Sequence, residues 1–115
     1  MKKALYAAIA MPLVALSLHA EANNLMVLGA MKYYAEECAK QGGTSYISND
    51  QGSTWQPLDY QETAYALKHA KTVALLDATM SGQSVSEAEL DQYLAEQATP
   101  QATMLEESRT LHCEH

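Results

Sequence analysis

The sequence predicts a mainly α protein: a small four-helix bundle with one β-hairpin inserted between helices 1 and 2, and one disulfide. Three observations carry this. Four stretches repeat apolar residues at three- and four-residue spacing, which places them on one face of a helix. Residues 44–58 break that period with Thr, Tyr and Ile alternating with polar residues around a glycine-containing turn. Two cysteines, Cys38 and Cys113, close the first and the last helical stretch.

The chain has 115 residues and a formal net charge of -7, which leaves room for one domain. Its start reads as a secretory signal. Lys2 and Lys3 precede an apolar run over residues 4–18, and Ala20-Glu21-Ala22 supplies the small-x-small cleavage site. Cleavage is expected after Ala22, so residues 1–22 form the signal and residues 23–115 a single helical domain. The apolar run is about 15 residues against the roughly 20 needed to cross a bilayer, and Pro12 interrupts it. A processed chain without membrane insertion, periplasmic or secreted, is the expectation.

That processed chain has 93 residues with five Lys or Arg against 13 Asp or Glu, a balance of -8. Such a surface repels phosphate backbones and anionic lipids, which argues against nucleic-acid and membrane-surface roles. Both cysteines survive cleavage and meet an oxidising compartment, where pairing is the default.

Asn24 is a candidate cap for the first helix, which runs to about Lys40 with Leu25, Leu28, Met31, Ala35 and Cys38 on one face. Gly42-Gly43 ends it. In the hairpin, Pro57 confines the second strand to an edge, and Asp59 caps the next helix. Residues 60–81 carry Ala64, Leu67, Ala70 and Ala74 on one stripe with Val73, Leu76 and Met80 beside it. An arc that wide predicts a central helix with neighbours on several sides. Gly82 stops it.

Ser86 and Glu89 form a capping box for the third helix, with Val85 and Leu90 as its staple. Thr99-Pro100 then reads as the end of that helix and the start of a fourth, with proline at the first position, where its missing N–H costs nothing. The fourth helix is expected to continue through Met104, Leu105, Ser108 and Leu111 to the end of the chain.

Within the hairpin, Ser48-x-Asp50-x-Gly52-x-Thr54-Trp55 resembles the Asp-box at every defined position of that pattern. In sialidase-like propellers and other families that carry it, the motif is a folding device. The resemblance implies a structural turn in which the Asp50 carboxylate accepts bonds from loop N–H groups, Gly52 takes a conformation others resist, and Trp55 packs inward onto the helices. Propellers repeat the box blade after blade, whereas this chain holds one copy, so sialidase activity does not carry over.

Other chemistry-bearing residues are sparse. His112 and His115 flank Cys113 and Glu114, a metal-capable tetrad if Cys113 is free, and Met26, Met31, Met80 and Met104 would suit soft copper. A cysteine in a disulfide is not a ligand, so no cofactor or metal is expected. His69 lies on the solvent side of the second helix. The carboxylates Glu87, Glu89, Asp91 and Glu96, with Glu106 and Glu107, read as solvated faces and as charge near helix N-termini.

The functional expectation is a small exported, non-enzymatic protein that binds another protein, as an accessory, inhibitor or immunity-type factor. Tyr33, Tyr46 and Tyr65 are the candidate interface residues, since tyrosine is enriched at interfaces. Two alternatives differ in class. One is an acid or stress chaperone, in which protonation of the 13 carboxylates exposes the Ala- and Leu-rich helix. The other is a small hydrolase using Asp50, Glu62 or His69.

Overall fold

The computed structural model describes the backbone of residues 13–115 and side chains from residue 24 onward. Three helices and a three-stranded antiparallel sheet follow in the order α1 (Leu13–Lys40), β1 (Thr44–Ile47), β2 (Gln56–Pro57), α2 (Tyr60–Met80), α3 (Glu87–Glu107) and β3 (Leu111–Glu114). The expected four-helix bundle is therefore corrected to three helices with a sheet. The expected signal lies in part, residues 1–12, outside the described residues. α1 runs through the position of the expected cleavage, and through Asn24, which is an interior helical residue instead of a cap.

Each local stop and start signal has a visible cause. α1 ends in a Schellman motif, with Gly42 at φ +77°, the Gly43 N–H donating to the Cys38 carbonyl and the Gly42 N–H to the Ala39 carbonyl, both at 2.9 Å. Asp59 caps α2 by accepting from the Glu62 N–H at 3.0 Å. Ser86 and Glu89 exchange both bonds of the capping box at the start of α3.

The break expected at Thr99-Pro100 does not occur. α3 continues to Glu107 with Pro100 in its interior. Proline removes one bond to the carbonyl four residues earlier, that of Glu96, but both residues are exposed, so water can take that carbonyl. On the opposite side Leu94, Ala98 and Ala102 are buried in one stripe, and that burial holds the two halves in line.

The last segment is a strand, not a helix. Arg109 takes a left-handed φ of +62°, and the Thr110 N–H donates to the Leu105 carbonyl at 2.8 Å, which closes α3 and reverses the chain. β3 then pairs antiparallel with β1, with Tyr46 opposite His112 and Ile47 opposite Leu111. The sheet order is β2-β1-β3. Leu111 is 1% exposed beneath it, while His112 and Glu114 face outward.

The central helix is α1 and not α2. It packs against both other helices, whereas α2 and α3 touch each other little. Leu25 of α1, Ala70 of α2 and Leu94 of α3 form the core, flanked by Leu28, Leu67, Ala74 and Leu90. At the sheet end Cys38 and Cys113 are bonded, joining the last turn of α1 to β3 across 75 residues of chain.

Candidate functional site

Two regions collect the side chains singled out by the sequence. The first is the loop between β1 and β2. The buried Ser48 hydroxyl donates to Asp50 Oδ1 at 2.6 Å and accepts from the N–H groups of Gly52 at 2.8 Å and Asp50 at 3.2 Å. Asp50 in turn accepts from the Thr54 N–H at 2.8 Å and the Thr54 hydroxyl at 2.6 Å. These donors hold the Asp50 carboxyl down to about 2, the Ser48 hydroxyl contributing most, then the Thr54 hydroxyl and N–H. Both carboxylate oxygens are thus occupied by the chain's own loop.

The loop is tied to the rest of the molecule at two points. Ser48 donates its N–H to the Thr110 carbonyl at 2.9 Å. Gly52, at φ +92°, lies under the Arg109 guanidinium, which comes within 2.6 Å of where a Cβ would stand. The Trp55 ring meets that of the outward-facing His112, centroids 5.6 Å apart and tilted by 48°.

His112 and His115 diverge. His112 Nε2 lies 2.7 Å from Glu114 Oε1, while His115 Nε2 lies 3.7 Å from the sulfur of Cys113, which is committed to the disulfide. Among the described residues no group of three or more His, Cys, Asp and Glu side chains comes together. Of the suggested hydrolase residues, Glu62 and His69 line one groove of about 500 Å³ between α1 and α2, whereas Asp50 sits apart from them in the loop between β1 and β2.

The three tyrosines occupy different environments. Tyr33 is half-buried between α1 and α3, its hydroxyl accepting from Thr99 at 3.2 Å. Tyr46 is half-buried on β1, opposite His112. Tyr65 is 74% exposed on α2.

Tyr65 belongs to the second region, the exposed face of α2. Leu76 is 58% and Met80 83% exposed, one turn apart on α2, with Val85 exposed in the turn that follows. The signal was present in the sequence as the wide apolar arc of α2. An arc that wide predicts neighbours on several sides, whereas α1 and α3 pack on the Ala70 side and leave Leu76 and Met80 exposed.

Two polar links fix α1 against its neighbours. The Tyr60 hydroxyl donates to Glu36 at 2.5 Å and Lys32 pairs with the same carboxylate at 2.7 Å; Lys32 first, then Tyr60, lowers the Glu36 pKa. Tyr34 donates to Glu106 at 2.6 Å, and burial followed by this bond pushes the phenol well above its ordinary value. These are positioning contacts between elements. No helix among the described residues is long and apolar enough to cross a membrane. Comparison of the chain with protein-family models, with curated proteins and with solved structures gave no match.

Proposed function

We propose that this is a small exported protein that binds another protein, with no catalytic step of its own, and that it does so through the uncovered side of α2. The supporting observation is the exposed run of Tyr65, Leu76 and Met80 on a helix whose sequence is apolar over a wide arc. Large apolar side chains held out from a folded body mark surfaces that associate. The disulfide suits an oxidising compartment, where a domain this small benefits from a covalent tie. In the same reading, residues 48–55 are a self-bonded structural turn that shapes the sheet and leaves partner contact to α2.

A photo-crosslinking amino acid placed in turn at Tyr65, Leu76 and, as control, Gln56 tests the reading in a periplasmic extract. One discrete adduct from the two α2 positions and none from Gln56 is the expected result. Equal labelling at all three, or none at all, would remove the proposed surface.

A further inference from the structure

α1 and α3 run parallel. Tyr93 reaches Met26, a Cβ on Gly29 would meet Leu94, Thr99 reaches Tyr33 and Glu106 is reached by Tyr34, so residue numbers rise together along the two helices. Both therefore end at the sheet. Near these ends lies a cavity of about 390 Å³ that the Cys38–Cys113 disulfide also lines, and no residue of α2 takes part in it.

The carboxylates of this cavity sit where a helix does not favour them. The C-terminal end of a helix is the negative end of its dipole and attracts cations, yet Glu37 stands in the last turn of α1 and Glu106 in the last turn of α3, and both line the cavity. Little on the chain answers this charge. Lys40, which does not line the cavity, meets Glu37 Oε2 at 2.9 Å, while α3 has no basic residue in its last turn and Glu106 has no basic partner among the described residues. The walls are aromatic as well. The hydroxyls of Tyr33 and Tyr34 are held two turns apart on α3, Tyr33 accepting from Thr99 at 3.2 Å and Tyr34 donating to Glu106 Oε2 at 2.6 Å. His115 is the one other titratable side chain in the lining, and no Lys or Arg belongs to it.

We propose that this cavity binds a small organic cation, an ammonium group on a short alkyl stem, held by the carboxylates of Glu37 and Glu106 and against the rings of Tyr33 and Tyr34. Each part of the lining contributes in a known way. The carboxylates offer charge-assisted hydrogen bonds, the phenol rings attract a cation through their π-faces, and the two helix ends add negative potential. An anion would meet repulsion from all of them. A metal ion needs more ligands than two carboxylates supply, and among the described residues no group of three or more His, Cys, Asp and Glu comes together. The same ammonium chemistry is carried by a free diamine and by a lysine side chain in a peptide. This site is separate from the α2 surface, so the crosslinking test above does not depend on it.

The experiment titrates the disulfide-bonded protein, followed by heteronuclear NMR, with putrescine, with N-acetyl-lysine methylamide, and with 1,4-butanediol as the uncharged control. Saturable shifts at the amides of Tyr33 and Thr103 are expected from the amines and none from the diol. Affinity should fall about tenfold in Glu37→Gln and in Glu106→Gln, each of which removes one charged acceptor. It should stay unchanged in Glu96→Gln, which removes the same charge from an exposed position of α3 outside the cavity. Glutamine at 106 keeps an acceptor for Tyr34; if that variant nevertheless fails to fold, Glu37→Gln decides. Tighter binding of putrescine assigns the site to a free amine, and tighter binding of the lysine amide to a peptide side chain; either supports the proposal. Equal affinity in all three variants would reduce the effect to general attraction by an acidic surface, and sink it. Equal shifts from the diol, or no saturable binding of either amine, would overturn it as well.

Discussion

Gly43 passes so close to Cys113 that a Cβ on it would stand 2.8 Å from that sulfur, and 2.9 Å from the sulfur of Cys38. The chain leaves the Schellman turn of α1 and enters β1 over the face of the disulfide, and a hydrogen is what fits there. Gly43→Ala is expected to cost about 1–3 kcal/mol by overpacking. Denaturant unfolding reads the cost, which should shrink when Cys38→Ala and Cys113→Ala are also present, because the two sites share one contact. An unchanged cost in that background would mean the strain lies in the backbone and not against sulfur.

The disulfide itself closes 75 residues of chain. By the chain-entropy account its removal in a Cys38→Ala, Cys113→Ala protein lowers stability by roughly 4 kcal/mol. β3 remains tied by its ladder to β1 and by the buried Leu111, so the unfolding midpoint should move without loss of the helical circular-dichroism signal below the transition. Stability equal to that of the oxidised protein would show that the sheet alone holds the chain end.

Asp50 makes stability depend on acid. Its folded pKa, about 2, lies below the ordinary aspartate range, so its contribution is complete above about pH 4 and is lost as pH falls through about 2. The stability gap between the wild type and Asp50→Asn should therefore be largest near neutrality and narrow steadily below about pH 4. A gap that stays constant down to pH 2 would mean that the carboxylate charge contributes nothing to the loop.

Pro100 interrupts the hydrogen bonding of α3 without ending the helix. Pro100→Ala restores the N–H on an exposed face and is expected to stabilise the protein by about 1–3 kcal/mol, below the full propensity difference because proline also restrains the unfolded chain. Thermal unfolding at neutral pH measures it. A loss of stability would show that the proline ring makes a contact the exposed face does not suggest.

Much of the local structure was legible in residue order. Asp59, the Ser86 and Glu89 pair, Gly42 and Gly82 act within one turn of themselves, so their effects do not wait for the rest of the chain. The side-chain bonding of Ser48, Asp50 and Thr54 is equally local, every partner of those side chains lying within four residues. Leu111 to Glu114 was harder to read, because four residues of alternation are too short to tell from a helix end, and Arg109 is not a residue that announces a left-handed turn.

By itself, then, the sequence determined the helix caps, the hairpin with its self-bonded turn, and which two cysteines had to meet. The tertiary structure decided three things that depend on distant partners. Burial of Ala98 and Ala102 against α1 carried α3 through Pro100; pairing with β1 drew the last residues into a strand; and the placing of α1 between α2 and α3 left Leu76 and Met80 uncovered. The physical reason is common to all three. Caps and turns are settled by hydrogen bonds between near neighbours, whereas continuity past a proline, strand pairing and the choice of central helix are settled by surface buried between segments far apart in the chain.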